Sequence, residues 1–141
     1  MNVPAPADKP IRDVAAAVIQ DDQGRVLLLQ RGAEAPTFPN HWGLVTGVVD
    51  AGETPERTVL REIGEELGVQ GRIRRAGDPF LVDIGAYIVR VWPFLCALDR
   101  PDAITLQPEN QRYEWVPIPE VFARRTIPQI DQDFRALGLI D

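Results

Sequence analysis

Residues 47–69, GVVDAGETPERTVLREIGEELGV, constrain this chain more than any other stretch. Thr54 is a good side-chain cap for a helix start, Pro55 suits the first helical position, and Gly68 is placed as a stop. The spacing predicts a helix over 55–67, roughly 20 Å long. At about 100° per residue, Val59, Leu60, Ile63 and Leu67 form one apolar stripe. Glu62, Glu65 and Glu66 fall together beside it, related by i, i+3, i+4 spacing. Gly64 lies on the other flank, where a missing side chain would let a neighbouring backbone come close.

Three acids in one patch work against the helix that carries them. Like charges four residues apart cost about 0.2–0.5 kcal/mol per pair. Carboxylates near the C-terminal end oppose the macrodipole by about 0.3–1 kcal/mol each. Arg61 can pair with Glu65, but one arginine cannot neutralise three glutamates. A solvated charged face is one reading. The other is a cation site, because the acids border the apolar stripe instead of opposing it and a glycine-punctuated loop feeds into them. Mg2+ takes a few carboxylates together with substrate phosphate and water.

Gly47, Glu53 and the run Arg61-Glu62-Ile63-Gly64-Glu65-Glu66-Leu67-Gly68-Val69 fill every fixed position of the Nudix box, G-x5-E-x7-R-E-U-x-E-E-x-G-U with U aliphatic. The chain therefore resembles the Nudix hydrolase family. The resemblance implies an α/β fold, a Nudix-type α/β/α sandwich with a mixed β-sheet and the box loop and helix at its centre. It also implies hydrolysis of a phosphoanhydride in a nucleoside diphosphate linked to another moiety, with Mg2+ or Mn2+ as cofactor. Family members often have a proline and a glycine where this chain has Val45 and Thr46, so the local loop conformation is open.

Carried over residue by residue, the resemblance makes Glu62 and Glu66 metal ligands and Glu65 a ligand or general base. Thr46 would supply a metal-facing main-chain carbonyl. Arg61 would orient the acids, and Glu53 would tie the loop to the helix or reach a second metal through water. Some relatives add a catalytic glutamate from a later loop; Glu109 is the candidate here and Glu114 the reserve. Arg31, Trp42 and Tyr87 are candidate substrate contacts, with core packing as the competing role for Trp42. The substrate would be a small nucleotide, and relatives are often dimers, so a homodimer is open.

Composition narrows the setting. With 141 residues and 45% hydrophobic content, the chain can bury a sizeable core as one domain over residues 11–141. A net charge of −6 argues against a broad surface for a nucleic acid polymer. Cys96 is the one cysteine, which excludes an internal disulfide and reads as a small buried hydrophobe. No signal peptide or long apolar run is visible, so no membrane association and a cytoplasmic location are expected.

The flanking pattern predicts a loose tail over 1–10 and strands at 14–19 and 25–31, joined as a hairpin by the turn 21–24. Continuous aliphatic runs of this kind suit strands covered on both faces. Further strands are expected at 80–82, 86–98 and 112–116, with a short extended piece at 104–106. Pro93 suggests a bulge or an edge position in the second of these. Arg72, Arg74 and Arg75 form a solvated edge or a phosphate contact. A helical turn at 119–123 and a helix at 128–137, with Ile130, Phe134 and Leu137 on one face, close the chain.

Rival functions have less support in the residues. A nucleotide-sensing domain that has lost catalysis would show eroded box acids, and none is missing. The diphosphate isomerase that shares the fold needs a cysteine near the box, whereas Cys96 lies far along the chain. A single histidine, His41, leaves no His-Cys zinc site, and no nucleophile-elbow motif accompanies it.

Overall fold

The structure, a computed structural model, describes residues 9–141. In chain order it runs β1 (Ile11–Ile19), β2 (Arg25–Arg31), β3 (Trp42–Gly43), β4 (Val45–Val48), α1 (Pro55–Leu67) and β5 (Gly71–Ala76). Then follow β6 (Phe80–Asp83), β7 (Ile88–Leu98), β8 (Asn110–Pro117), α2 (Ile118–Val121) and α3 (Ile130–Ala136). A mixed sheet has the order β4-β1-β7-β5, with β6 also on β7, and a smaller antiparallel sheet has the order β3-β2-β8.

Strand periodicity divides the aliphatic runs between two cores. Ala15, Ala17 and Ile19 of β1, Leu27 and Leu29 of β2, and Phe94, Cys96 and Leu98 of β7 pack with Val59, Ile63 and Leu67 of α1. The alternate residues Val18, Val26, Leu28 and Leu95 pack instead with Val121, Ile130, Phe134 and Leu137. Both faces of the strands are therefore covered, as the α/β/α expectation requires. Cys96 is fully buried, and burial pushes its thiol up to about 12.

The hairpin expected between β1 and β2 does not form. Its turn is present: the Asp21 amide donates to the Arg25 carbonyl, and the Asp21 carboxylate accepts from the amides of Gln23 and Arg25. Beyond the bridge between Gln20 and Val26, however, the strands part. β1 runs parallel to β7 from Ile11↔Ile88 to Ile19↔Cys96 and antiparallel to β4 on its other side. With both edges of β1 taken, β2 finds its partners in the second sheet.

Pro93 sits in a central strand, not at an edge. On one side the register with β1 continues past it at Ala16↔Pro93. On the other side, the partner of β7 changes from β5 to β6, and the Gly77 amide donates to the Pro93 carbonyl between them. A missing N–H costs little at such a gap.

The central helix has the expected bounds and caps. The Arg57 amide donates to Thr54 Oγ1 at 3.2 Å, and Gly68 closes the helix at φ 69°. The stretch 104–106 forms no strand; the Thr105 amide instead donates to the Leu67 carbonyl at 2.8 Å, satisfying one of the helix's terminal acceptors. Two expectations about the helix faces are corrected. Leu60 is 38% exposed, and Thr58 takes its place on the buried side. No atom of a neighbouring segment lies within 4 Å of a β-carbon built on Gly64, so nothing approaches there.

At the termini, residues 1–8 of the expected tail lie outside the described residues. Lys9 pairs with Asp83, and the Pro10 carbonyl accepts from the Ile88 amide, so residues 9 and 10 are tied to the sheet. The last helix begins two residues later than expected, because Gln129 adopts φ 73°. Among the described residues no helix is long and apolar enough to cross a membrane.

Candidate active site

The loop from β4 to α1 is clamped by one arginine. The Arg61 guanidinium donates to Glu53 at 2.9 and 3.0 Å, to Glu62 at 2.8 Å and to Glu65 at 3.2 Å, and lies 3.4 Å from Asp50. Glu53 also accepts from Thr58 Oγ1 at 2.6 Å and from the Asp50 amide at 3.3 Å. Its carboxyl is thus held down at about 2, first by Arg61 and then by the Thr58 hydroxyl. The Arg61 guanidinium is correspondingly raised above its ordinary value by Glu53. Glu53 therefore joins loop to helix directly.

Glu62 is drawn inward by this clamp. Its side chain is 17% exposed and rests on the backbone of Gly47, where any β-carbon would collide with it. Glu66, one turn on, is half-buried beside it. Burial holds the Glu66 carboxyl well above the carboxylate range, the negative charge of Glu62 adds to this, and Glu109 contributes from across the site. The Thr46 amide acts the other way by hydrogen bonding to Glu66. Since β4 is an edge strand and a residue's N–H and C=O share a side in an antiparallel ladder, the Thr46 carbonyl faces the same way.

Glu65 does not join this pair. Its side chain is 59% exposed and turned toward Arg61. Among the described residues no three acids, imidazoles or thiols are gathered as a ready-made metal cage. The expected trio is a pair, Glu62 and Glu66, with Glu109 facing it. A pair of crowded carboxylates and a main-chain oxygen could hold Mg2+, which commonly takes one or two protein carboxylates and leaves its other positions to phosphate and water.

A cleft of about 980 Å³ opens beside the pair. Arg31, Thr46, Glu66 and Glu109 line it, so four of the residues expected at the site from sequence meet there. Arg31 donates to the carbonyl and hydroxyl of Thr37 and braces the loop over 32–41. Trp42 and Tyr87 do not line the cleft. Trp42 is 7% exposed in the second core, with the guanidiniums of Arg112 and Arg124 over its ring, and Tyr87 lies under Arg12. Glu114 pairs with Arg124 at 2.7 Å. Arg72 pairs with Asp99, Arg75 donates to the Leu137 carbonyl, and neither they nor Arg74 border the cleft.

Further residues that were not expected from the sequence line the cleft. Phe80, Val82, Ile84, Val89 and Val91 form an apolar wall, and Ile127, Ile130 and Asp133 stand at the start of α3. Asp133 is 7% exposed, and its Oδ1 has no hydrogen-bond partner among the described residues. Burial pushes its carboxyl up to about 7, with the charge of Asp131 adding to the effect. A signal for it existed: residues 130, 133, 134 and 137 share one helical face, so an acid sits on a stripe otherwise made of Ile130, Phe134 and Leu137.

The family model for the NUDIX domain matches residues 10–137. An octanoyltransferase of Myxococcus xanthus is 31% identical over 132 residues, covering 84% of this chain and 34% of that protein. An 8-oxo-dGTP diphosphatase of Haemophilus influenzae is 44% identical over 62 residues, 44% of this chain and 45% of that protein. The chain thus spans less than half the length of these curated relatives. A solved MutT protein from Methanosarcina mazei Go1 has the same fold, with TM-score 0.76 and 25% identity over 90% of this chain and 91% of that one. With Glu66 of the box on the cleft wall and a family match over nearly the whole length, the chain belongs to the NUDIX domain family.

Proposed function

We propose that the chain hydrolyses a phosphoanhydride bond of a small nucleotide, a nucleoside diphosphate linked to a further group, in a reaction that depends on Mg2+ or Mn2+. The observation that carries this is the Glu62–Glu66 pair, two carboxyl groups crowded together beside a cleft large enough for a nucleotide. Such crowding is unfavourable in isolation and relieved by a divalent cation. Names among the relatives point the same way, including the 8-oxo-dGTP diphosphatase and a dihydroneopterin triphosphate diphosphatase of Haemophilus influenzae. The octanoyltransferase match covers only a third of that protein, and the one thiol here is fully buried.

Glu62 and Glu66 would hold the cation with the Thr46 carbonyl. The bound cation would screen the charge of the polyphosphate, which otherwise repels an attacking water. Arg61 fixes the Glu62 carboxylate, and Glu53 fixes Arg61, so Glu62 would not have to reorganise when substrate arrives. Glu109, which lines the cleft near Glu66, would accept the proton from the attacking water. Glu65, paired outward with Arg61, steadies the clamp.

A panel of nucleoside triphosphates, dinucleoside polyphosphates and nucleotide sugars, assayed with Mg2+ and Mn2+, tests the reading. Glu66→Gln should lose at least about 10²-fold in turnover, the lower range for a positioned acid–base or electrostatic group. Unchanged turnover in that variant, or equal turnover in chelator, overturns it.

A further inference from the structure

Two loops help to wall the cleft that Glu66 lines. One leaves β2 after Arg31 and contributes residues 32–36; the other precedes β8 and contributes residues 108–110, Glu109 among them. The second is a tight turn. The Asn110 amide closes it by donating to the Gln107 carbonyl at 3.1 Å, and Pro108 stands where such a turn favours proline. The Gly32 amide donates to the Glu109 carbonyl at 3.1 Å, so the two loops meet at the backbone.

Gln111, two residues on from Glu109, stands where the ladder between β2 and β8 slips. Gln30 faces Arg112 and Arg31 faces Asn110, which leaves Gln111 as the extra residue of a bulge. Its side-chain amide donates at 2.8 Å to the Arg31 carbonyl and at 2.8 Å to Asn40 Oδ1. A primary amide has two N–H groups, and here both are taken. Asn40 is held in turn, with φ 63° and its carbonyl accepting from Gln30 at 3.0 Å. Gln111 does not line the cleft itself; it fastens together the two loops that do.

We propose that Gln111 is a positioning residue for the reaction, a latch that keeps the turn carrying Glu109 against the end of β2. This rests on hydrolysis in the cleft with Glu109 as proton acceptor, as proposed above, and adds what holds that acceptor in place. Glu109 is exposed, so packing does little to fix it, and a misplacement of about 1 Å can cost on the order of 10²-fold in rate. The Arg31 guanidinium keeps its separate brace on Thr37, so losing the latch acts on turnover more than on substrate affinity.

Steady-state kinetics on the best substrate of the panel tests this with Gln111→Met, which keeps the length and removes both donors. Its kcat should fall at least about tenfold, the scale of outer-shell support, with KM within about threefold and cooperative melting retained. Glu109→Gln alone should lose at least about 10²-fold. Adding Gln111→Met to it should then cost no more than about twofold, because the latch has nothing left to position. Wild-type kcat in Gln111→Met, a loss confined to KM, a lost melting transition, or multiplicative losses in the double variant overturns the proposal. Full turnover in Glu109→Gln does so too. A wild type that hydrolyses no member of the panel overturns the hydrolase reading as well, so wild-type turnover tells the two failures apart.

Discussion

The carboxylate of Glu62 lies against the backbone of Gly47, so close that a β-carbon at 47 would stand 2.3 Å from its Cγ and Cδ and 2.6 Å from Oε1. Glycine is required at 47 for space, since its φ is not in the left-handed region. Gly47→Ala should swing Glu62 away from Glu66 while both cores stay packed. The expected result is a loss of about 10²-fold in turnover, the scale of a 1 Å misplacement, with cooperative melting retained. A Mg2+ titration that matched wild type would contradict it.

Arg61 reaches Glu53, Glu62 and Glu65 with one planar fork. Lysine keeps the charge but not the fork, so Arg61→Lys should lose at least about tenfold in turnover, within the range of outer-shell ligand support. The same substitution should free Glu53 to titrate in the ordinary range. Because the Glu53 carboxyl is depressed to about 2, its contribution to stability is present above its unfolded value and lost as pH falls toward 2. Acid unfolding should thus begin at higher pH in Arg61→Lys, and carboxyl NMR titration would follow Glu53 directly.

Gly64 is the one residue in the box helix with nothing to gain from being glycine. It is exposed, helical and clear of neighbours within 4 Å. Gly64→Ala should raise stability by about 0.5–1 kcal/mol through helix propensity. Chemical denaturation should show a higher midpoint with the same slope, and turnover should be unchanged. A fall in stability would mean that another surface does approach this flank.

Asp133 makes the folded protein bind a proton more tightly than the unfolded chain between the ordinary 3.8 and about 7. A raised acid contributes stability that is full below its unfolded value and lost as pH rises through its folded one. Wild type should accordingly weaken from pH 4 to 7, and Asp133→Asn should lack that part of the slope. The difference between the two denaturation curves, taken at each pH, isolates Asp133 from other groups. Parallel curves would show that the carboxyl titrates normally.

The box helix was legible because every signal that sets it lies within a few residues. Thr54 caps the amide of Arg57, Gly68 bonds back to Gly64, and Glu62 and Glu66 share a face through helix geometry alone. The pairing of Arg61 with Glu65 was legible for the same reason, but the role of Glu53 stayed open in the sequence, and its bonds to Arg61 emerged only in the structure. The strand partners were not legible. The stretches 14–19 and 25–31 carry similar aliphatic patterns, and a short turn between them is compatible with a hairpin or with separation into two sheets.

Local hydrogen bonding and helical period, then, let the sequence alone determine the capped helix and the shared face of its acids, and the filled box positions carried the resemblance to the family. Sheet assignment, the outward turn of Glu65 and the place of Trp42 in the core were decided only by tertiary structure. So was the meeting of Glu66, Glu109 and Asp133 around one cleft. Those outcomes depend on contacts between segments far apart in the chain, where many aliphatic partners are nearly equivalent. Burial, which leaves Asp133 Oδ1 without a hydrogen-bond partner among the described residues, is a property no single segment possesses.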